Sequence, residues 1–540
     1  MSNSTVRSAA FDLLRRHRMT TIFGNPGSNE LPFLAGMPSD FRYVLGLQEG
    51  VVAGMADGYA QASGRPALVS LHAAAGTGNA MGALTNAWYS HTPLVLLAGQ
   101  QVRSTIGQEV MLANIGATEL PRPLVKWASE PSHPDDVVRT LGQAIHTAQS
   151  SPGGPVYVSV PYDDWSHEAE ETALRAPDRR VDIAGGLSES QLGWLAGTID
   201  AAANPVLVLG PDVDAARANG TAVALAEKLR APVWVAPSAP RCPFPTRHPC
   251  FRGVLPASVS GISGRLVGHD LVLVIGAPVF RYHEYEPGQY LPQGTTLVHL
   301  TTDPGEAARA PTGTSIVADI GSALEDLVKH VTASERAMPT ARPLPQPGSA
   351  LTKDRLLSSA AVLDAVNAQA PDDAIYVNEA TSTVPQVWER IEMREPGSYY
   401  FPAAGGLGFG LPAAVGVQMA EPSRRVVAIV GDGSANYGLS ALWTAAQWKL
   451  PVTVVVLNNG TYGALRAFAG KLDAAGSPGL DLPGIDFCQL AAGYGVEAHR
   501  VSTVEEFTDR FRSALQGDAP VLLDVPVAAT SPFASDTNGA

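Results

Sequence analysis

Residues 426–434 have the sequence Val-Val-Ala-Ile-Val-Gly-Asp-Gly-Ser. Five consecutive apolar residues bounded by turn residues are typical of a short strand that is covered on both faces, as in a parallel sheet. A Gly-Asp-Gly segment then ends the strand, and open α/β sheets bind ligands at the carboxyl ends of their strands. The stretch therefore predicts an α/β fold, with Asp432 as a candidate ligand residue at a strand end.

A second strand end of the same kind follows along the chain. Residues 452–457 form another apolar run, and Asn-Asn-Gly-Thr-Tyr-Gly follows it at 458–463. The chain between the two strand ends is about as long as one crossover helix with its turns, which is the connection that parallel neighbours need. Asp432 and Asn459 are therefore expected at the same edge of one sheet.

The oxygen atoms at these two strand ends suit a Mg²⁺ ion, with the Asp432 carboxylate, the Asn459 side-chain oxygen and the Thr461 carbonyl as ligands. The glycines let the main chain approach a phosphate closely, and a helix beginning after Ser434 would direct its N–H groups at that anion. The alternative is that Asp-Gly and Asn-Gly form ordinary turns, where both are common. Each dipeptide alone favours a turn, but the two together favour a phosphate and metal site.

The whole chain repeats the same pattern of short Val/Ile/Leu runs alternating with Ala-rich helical stretches, which is typical of βα units on parallel sheets. A chain of 540 residues is too long for one core. A polar stretch at 163–186 and a proline-rich stretch at 337–349 look like joints. We therefore predict three doubly wound parallel-sheet α/β domains, at residues 1–180, 181–345 and 346–530.

Composition excludes several classes of protein. The net charge of −14 disfavours a nucleic-acid partner, because phosphate binding needs a basic surface. The apolar runs are too short to cross a membrane and the N-terminus lacks the apolar segment of a signal peptide, so we expect a cytoplasmic protein. Cys242, His248 and Cys250 raise the alternative of a zinc site, but their spacing and the lack of a fourth ligand favour a structural loop.

Several stretches carry a resemblance to a known family. They are GNPGSNELPF at 24–33, AAGTGNAM at 74–81, PVWVAPSAPRC at 232–242, YYF at 399–401 and AGGLGF at 404–409. Together with Gly-Asp-Gly followed by Asn-Asn, they resemble the benzoylformate decarboxylases, which are thiamine-diphosphate-dependent 2-oxo acid decarboxylases, over nearly the whole chain. On this resemblance the first domain binds the pyrimidine of the cofactor and the third binds the diphosphate with Mg²⁺, for which Ca²⁺ can substitute.

The resemblance also assigns cofactor contacts. Glu49 matches the carboxylate beside the pyrimidine ring, although a Glu in the first turn of a helix ordinarily compensates the helix dipole. Leu407 matches the residue that supports the bent cofactor, and the Gly405 carbonyl matches the contact to the pyrimidine amino group. The remaining implied cofactor contacts are Asn25, Pro26, Gly27, Thr381, Ser382, Gly433, Ser434 and Tyr462.

For the reaction, the resemblance implies that benzoylformate loses CO₂ to give benzaldehyde, with carboligation as a side activity. His72 and His283 match the family's proton-transferring pair, and Ser28 matches the residue that binds the substrate carboxylate. A lone histidine is more often structural, and the chain has twelve. The positions that match the lining of the substrate pocket are Leu112, Phe401, Ala464, Leu465 and Phe468.

The sequence departs from the family at Ala73, where we expect Ser, at Ala467, where we expect Trp, and at Glu119, where we expect Asn in a loop that binds a second cation. A carboligase of acetolactate-synthase type, which acts on aliphatic 2-oxo acids and often uses a flavin, is the alternative within the same fold. The central segment has no Gly-x-Gly-x-x-Gly after a strand, which disfavours a dinucleotide. The resemblance further implies a homodimer at least, and a homotetramer of two such dimers, with the cofactor between subunits.

Overall fold

A computed structural model of the protein describes residues 4–182, 185–283, 285–352 and 355–530. These residues fold into three six-stranded sheets, and every strand pairing given for them is parallel. Helices pack on the faces of each sheet, which confirms the predicted α/β class. The predicted domain boundaries stay predictions, but each sheet draws its strands from a different third of the chain.

The first sheet has the strand order β2-β1-β3-β4-β6-β5. Its strands are β1 (Thr21–Gly24), β2 (Arg42–Leu45), β3 (Ala67–Leu71), β4 (Leu94–Gln100), β5 (Trp127–Ser129) and β6 (Val156–Pro161). The helices are α1 (Val6–Arg16), α2 (Leu31–Leu34), α3 (Glu49–Ser63), α4 (Ala73–Tyr89), α5 (Val137–Gln149) and α6 (Glu171–Arg175). Strands β3, β4 and β6 are buried along their whole length, as their continuous apolar sequences predict.

The second sheet has the strand order β12-β11-β10-β7-β8-β9. Its strands are β7 (Pro205–Leu209), β8 (Val233–Val235), β9 (Phe251–Val254), β10 (Leu271–Ile275), β11 (Thr296–Thr301) and β12 (Thr314–Val317). The helices are α7 (Glu189–Ala201), α8 (Pro211–Ala215), α9 (Asn219–Leu229), α10 (Val259–Arg265), α11 (Pro304–Arg309) and α12 (Ile320–His330). The strand order reverses direction between β7 and β10, which is the point where ligands bind in such sheets.

The third sheet has the strand order β14-β13-β15-β16-β18-β17. Its strands are β13 (Ile375–Glu379), β14 (Tyr399–Tyr400), β15 (Val426–Gly431), β16 (Val452–Asn458), β17 (Glu497–Arg500) and β18 (Val521–Pro526). The helices are α13 (Ser359–Gln369), α14 (Val384–Arg390), α15 (Gly410–Ala420), α16 (Asp432–Ala435), α17 (Ala441–Gln447), α18 (Gly463–Lys471), α19 (Phe487–Gly493) and α20 (Val504–Gln516). As predicted, β15 and β16 are neighbours, so Asp432 and Asn459 follow adjacent strands.

Helices α3 and α15 join the first and third sheets. Two glycines permit the close contact, since a Cβ at Gly58 would lie 2.3 Å from the Ala413 carbonyl oxygen and one at Gly416 would lie 1.9 Å from the Met55 carbonyl oxygen. Buried residues of both domains form one continuous hydrophobic cluster at this contact. The two domains of one chain are therefore fixed relative to each other by packing as tight as that of a core.

Two local predictions differ from the structure. The helix expected after Ser434 begins earlier, at Asp432, and is a single turn. Part of the stretch predicted as the first joint packs on the first domain, because Trp165 and Ala173 are buried in its core. Among the described residues, no helix is both long enough and apolar enough to span a membrane.

Candidate active site

Glu49 is the first residue of α3, directly after the turn that leaves β2. Gln48 caps the helix, since its side-chain oxygen accepts the N–H of Val51 at 3.0 Å. The Glu49 carboxylate is only 7% exposed. It accepts the Asn79 amide at 2.9 Å and the Asn25 amide at 3.4 Å, one on each oxygen. A buried carboxylate held in this way can share a proton with a ligand atom at a fixed position.

His72 lies beside this carboxylate, at the end of β3. Its Nδ1 is 2.9 Å from a carboxylate oxygen of Glu30. The loop after β1 lies against the ring so closely that a Cβ at Gly27 would be 2.0 Å from Nδ1. The main chain at Gly27 therefore packs directly against the His72 ring, and only glycine fits at position 27.

Ser28 follows Gly27 in the same loop, and its hydroxyl donates to the side-chain oxygen of Asn29 at 3.4 Å. The Asn29 amide in turn donates to the carbonyl of Leu112 at 3.0 Å, so Leu112 of the predicted pocket lies near Ser28. We call this set the Glu49 cluster. It consists of Asn25, Pro26, Gly27, Ser28, Glu30, Glu49, His72, Asn79 and Leu112.

Asp432 is the centre of a second set of predicted residues, after β15. Its carboxylate is 3% exposed and accepts the N–H of Gly460 at 2.7 Å. The side-chain oxygen of Asn459 accepts the N–H of Thr461 at 3.0 Å. Burial raises the pKa of Asp432, and a cation beside it would offset that cost by favouring the carboxylate.

Two glycines let the strand-end loops pack closely beside Asp432. A Cβ at Gly433 would be 2.5 Å from the ring of Tyr462, and one at Gly463 would be 3.1 Å from the Ser382 hydroxyl and 3.2 Å from the Asn459 amide nitrogen. The main chain therefore approaches these three predicted residues more closely than a side chain would allow. One carboxylate and neutral oxygens are the ligands that a Mg²⁺ ion with a diphosphate prefers.

The loop that contains Gly405 and Leu407 is fixed by a buried carboxylate at the end of β13. Glu379, which is 1% exposed, accepts three consecutive main-chain N–H groups, those of Gly408 (2.7 Å), Phe409 (3.0 Å) and Gly410 (2.8 Å). Burial raises the pKa of Glu379 to about 7 in spite of these three donors. Glu379 precedes Thr381 and Ser382 by two and three residues, so it connects two predicted cofactor-binding segments.

The other side of this loop is held by the first and second domains. Asn86 of α4 donates to the Gly406 carbonyl at 2.8 Å and accepts the Ala404 N–H at 3.1 Å. Arg281 of the central domain donates to the Ala403 carbonyl at 2.8 Å and lies 4.6 Å from the ring centroid of Tyr89. All three domains therefore contribute to the position of the loop.

His283 and four of the five predicted pocket residues belong to the second and third domains, whereas Leu112 belongs to the first. The His283 ring contacts the Phe468 ring with centroids 4.4 Å apart. Phe468, Ala464 and Leu465 share α18, and Leu465 is 52% exposed. Phe401 follows β14 and stacks on Tyr399 with ring centroids 6.5 Å apart. We call the set after these strand ends the Asp432 cluster. It consists of His283, Thr381, Ser382, Phe401, Gly405, Leu407, Asp432, Gly433, Ser434, Asn459, Thr461, Tyr462, Ala464, Leu465 and Phe468.

The structure thus groups the predicted residues into two clusters, one on the first domain and one on the second and third. The hydrogen bonds of Glu49 and His72 are to members of the Glu49 cluster. Those of Asp432 and Asn459 are to the strand-end loops of the Asp432 cluster. Roles that require both clusters, such as holding the two ends of one cofactor, therefore stay predictions.

Sequence reasoning gave no role to Glu30, Asn79, Asn86, Arg281 or Glu379. Each lies in or near a predicted stretch, but its partner is distant in sequence, for example 42 residues away for Glu30 and His72. The one sequence feature that could have indicated Glu30 is its position as an acidic residue in the Asn-Glu-Leu-Pro segment at 29–32. No local pattern indicates the others.

Two further metal sites were considered from the sequence, a zinc site at Cys242, His248 and Cys250 and a second cation site at the Glu119 loop. The Cys242 thiol contacts the Phe244 carbonyl at 3.2 Å, whereas His248 contacts Glu227. These contacts favour the structural loop over a zinc site. Glu119 stands where the resemblance predicts an Asn in the loop that binds a second cation. Its side chain is 76% exposed and pairs with Arg122 at 4.0 Å.

Comparison with known proteins matches all three domains. Residues 4–120, 192–327 and 380–525 match the N-terminal TPP binding domain, central domain and C-terminal TPP binding domain of thiamine pyrophosphate enzymes. The chain is 60% identical to benzoylformate decarboxylase of Pseudomonas aeruginosa, over 98% of this chain and 100% of that protein.

Two solved structures are similar over almost their full length. One is the thiamine-diphosphate-dependent 4-hydroxybenzoylformate decarboxylase of Rhodococcus jostii RHA1, with a TM-score of 0.95, 60% identity, and coverage of 97% of this chain and 99% of that chain. The other is benzoylformate decarboxylase from Polynucleobacter necessarius, with a TM-score of 0.95, 38% identity, and coverage of 98% and 99%.

Proposed function

The chain belongs to the thiamine pyrophosphate enzyme family, and we propose that it is a carboxy-lyase that converts benzoylformate to benzaldehyde and CO₂. The observation that carries the proposal is the chemistry of two buried carboxylates. Glu49 is held by two amides on the first domain, and Asp432 is held beside Asn459 at adjacent strand ends of the third. These are suitable partners for a pyrimidine ring and for a Mg²⁺-bound diphosphate.

Asp432, Asn459 and the Thr461 carbonyl would hold Mg²⁺, and Ca²⁺ offers the same oxygen chemistry. Gly433, Ser434, Thr381, Ser382 and Tyr462 would hold the diphosphate. When bound, thiamine diphosphate supplies the nucleophilic carbon and the electron sink that let a 2-oxo acid lose CO₂. Leu407 and the Gly405 carbonyl would fix the bend of the cofactor, on a loop that Glu379 anchors.

Glu49 holds a proton at the pyrimidine ring nitrogen in this proposal. The Asn79 and Asn25 amides fix the Glu49 carboxylate, one on each oxygen, and one of these oxygens would reach the ring nitrogen. The burial of Glu49 would strengthen that hydrogen bond, because water would not compete for it. Asn25, Pro26 and Gly27 would pack on the same ring from the loop after β1.

Three side chains would handle the substrate's carboxylate and the proton. Ser28 donates to the carboxylate of the 2-oxo acid, and His72 lies beside it from the end of β3. His283, from the central domain, delivers the proton to the carbon that becomes the aldehyde carbon. Histidine suits both positions because its charge changes near neutral pH.

The substrate pocket would be formed by Leu112, Phe401, Ala464, Leu465 and Phe468. Apolar and aromatic side chains of this kind suit the flat ring of an aromatic 2-oxo acid. The edge-to-face contact of Phe468 with His283 supports this assignment, since it places an aromatic wall beside the proposed proton donor. Ala467 on the same helix leaves space that a Trp would fill.

We also propose that the active enzyme is a homodimer at least, and a homotetramer of two such dimers. The first and third domains both match TPP binding domains, and the resemblance implies that the cofactor lies between the first domain of one subunit and the third domain of another. In such an assembly the Glu49 cluster of one subunit would face the Asp432 cluster of another, with closed symmetry. A cytoplasmic location is supported by the three free cysteines.

The alternative of an acetolactate-synthase-type carboligase is less well supported. A cavity at the carboxyl ends of β7 and β10, lined by residues such as Asp212, Ala277 and Arg281, has a volume of about 110 Å³. Sites for larger ligands commonly have roughly 300 Å³ or more. The cavity is therefore small for a flavin dinucleotide at this position.

A substrate panel tests the proposal. CO₂ release would be measured from benzoylformate, 4-hydroxybenzoylformate and pyruvate, with and without added thiamine diphosphate and Mg²⁺, and with the Asp432→Asn variant as a control. We expect cofactor-dependent release with kcat/KM highest for an aromatic substrate. Preference for pyruvate would contradict the substrate assignment, and acetolactate as the main product from pyruvate would favour the alternative.

A further inference from the structure

Glu30 is a buried carboxylate that none of these roles uses. It is 3% exposed and lies between the loop after β1 and the ends of β3 and β4. One of its oxygens, Oε2, accepts the Gly27 N–H at 2.9 Å and contacts His72 Nδ1 at 2.9 Å. The other, Oε1, accepts the Gly99 N–H at 3.0 Å and the Ala73 N–H at 3.4 Å.

This arrangement determines which nitrogen of His72 carries hydrogen. A main-chain N–H can only donate, and the two oxygens of Glu30 accept three such groups, those of Gly27, Gly99 and Ala73. Three donors favour the ionised carboxylate, which has no hydrogen to donate. The short contact to His72 therefore requires a hydrogen on Nδ1. The other nitrogen, Nε2, is then the atom that can gain or lose a proton.

The packing around the pair prevents other arrangements. A Cβ at Gly99 would lie 2.2 Å from the Glu30 Oε1, and a Cβ at Gly27 would lie 2.0 Å from His72 Nδ1. Ala73, which follows His72, has a φ of +42°, a conformation that non-glycine residues adopt only when their surroundings impose it. Its N–H is directed at Glu30, which helps to hold the chain in that conformation.

We propose that Glu30 is the positioning residue for His72. It keeps the proton on Nδ1, leaves Nε2 to face the substrate, and balances the charge of the imidazolium without taking up the proton itself, as carboxylates do beside catalytic histidines. The inference rests on the proposed role of His72 in the decarboxylase. The part of the effect of Glu30 on kcat that passes through His72 cannot exceed the effect of losing His72.

The Glu30→Gln variant tests the activity consequence. A glutamine would place its NH₂ group against the N–H of either Gly27 or Gly99, so it cannot satisfy all four donors. We expect kcat for benzoylformate to fall by about 10- to 10³-fold. In a His72→Ala background the same substitution should change kcat by less than about threefold, because a residue that acts through another is non-additive with it. A full further loss in that background would contradict the proposal.

Asp57→Asn is the matched control. Asp57 is a buried carboxylate of α3 in the same domain, 1% exposed, and its Oδ1 accepts from Thr92 and Gln61, as an asparagine oxygen can also do. This variant removes a buried carboxyl group without contact to His72, so kcat should stay within about twofold of the parent value. An equal loss in both variants would mean that Glu30 has only a structural role.

A measurement on the apoenzyme decides independently of activity. Solid-state ¹⁵N spectra of protein labelled in histidine nitrogens, with His72 assigned by its loss in His72→Ala, report the tautomer directly. We expect His72 with hydrogen on Nδ1 in the parent protein and a mixed population in Glu30→Gln. Hydrogen on Nε2 alone in the parent would overturn the inference. If the tautomer is as expected but benzoylformate is not a substrate, the proposed function fails and the positioning role stands.

Discussion

The ring of His283 lies edge-to-face on the ring of Phe468, with centroids 4.4 Å apart and planes inclined at 66°. The contact joins the proposed proton donor, from the central domain, to a proposed pocket residue on α18 of the third domain. Such pairs contribute about 0.5–1.5 kcal/mol beyond their buried area. The residue proposed to set substrate preference therefore also helps to orient the residue proposed to move the proton.

Phe468→Ile should consequently change two properties. We expect the ratio of kcat/KM for benzoylformate over that for pyruvate to fall, because the aromatic wall of the pocket is lost. We also expect a drop in kcat for benzoylformate, because His283 loses its packing partner. In a double-mutant cycle with His283→Ala, the coupling energy should be about 0.5–3 kcal/mol, as for residues in contact. Leu472→Ala, at the exposed end of the same helix, is the control and should show no coupling to His283. Additive effects of Phe468 and His283 would contradict this prediction.

Glu49→Gln should bind thiamine diphosphate but lose most of the exchange of its C2 proton. The amide occupies nearly the same volume as the carboxylate and keeps one oxygen for the Asn79 or Asn25 amide, but it cannot share a proton with the ring nitrogen. The measurements are cofactor affinity by fluorescence titration and C2 exchange by quenched-flow NMR. Exchange at the parent rate would show that Glu49 is not the activating carboxylate.

The two histidines should differ in the step that they slow. His72→Ala should slow both the loss of CO₂ and the release of product, because His72 lies beside the proposed site of the substrate carboxylate. His283→Ala should chiefly slow the addition of the proton to the aldehyde carbon. Each loss in kcat should be about 10²- to 10⁴-fold, as for one general acid or base. Stopped-flow spectra with a chromophoric benzoylformate distinguish the steps. The control is His330→Ala, since His330 is an exposed residue at the end of α12. Near-parent turnover in both variants would contradict the assignment.

Local sequence patterns predicted the strand ends that carry the site. The apolar runs at 426–430 and 452–457 are buried strands, and Asp432 and Asn459 follow them at neighbouring positions in the sheet. A continuous apolar run followed by turn residues is enough to predict such strands, because a strand inside a parallel sheet is covered on both faces and must be apolar throughout. Glu49 begins its helix, as predicted. The role of Glu49, however, was predicted from the family resemblance, because a Glu in the first turn of a helix ordinarily only compensates the helix dipole.

The residues that orient the site could not be predicted in this way. Glu30 contacts His72 from 42 positions away, and Glu379 accepts N–H groups from residues 29 to 31 positions away. Both are single carboxylates that collect main-chain donors from loops, and those loops come together only when the sheet is complete. No periodicity or turn pattern encodes such a contact. The same applies to Asn86, which reaches the Gly406 carbonyl across a domain boundary.

Glu379 should make stability depend on pH near neutrality. Burial raises the pKa of Glu379 to about 7 from its ordinary 4.5, so between these values the folded protein retains a proton that the unfolded chain has lost. Its contribution to the free energy of unfolding is therefore complete below about pH 4.5 and is lost as pH rises to about 7. The slope of the free energy of unfolding is at most about 1.4 kcal/mol per pH unit.

The melting temperature of the apoenzyme, measured across this range, should depend less on pH in Glu379→Gln than in the parent. Glu505→Gln, on an exposed helix start, should match the parent. Equal pH profiles for Glu379→Gln and the parent would show that Glu379 does not titrate there.

Mixed oligomers test whether the two clusters of one active site come from different subunits. Glu49→Gln and Asp432→Asn subunits should each be nearly inactive alone. If the cofactor lies between the Glu49 cluster of one subunit and the Asp432 cluster of another, a mixed dimer contains one site with both residues intact. Random mixing should then restore about a quarter of the parental activity, since half of the dimers are mixed and each has one of two sites intact.

The matched control mixes Glu49→Gln with His72→Ala subunits. Both residues belong to the Glu49 cluster, so every site in the mixed dimer still has one defective member, and activity should stay at the level of the separate variants. Recovery in the first mixture but not in the second requires a site shared between subunits. No recovery in either mixture, with mixed oligomers verified by two affinity tags, would show that each active site is built within one chain.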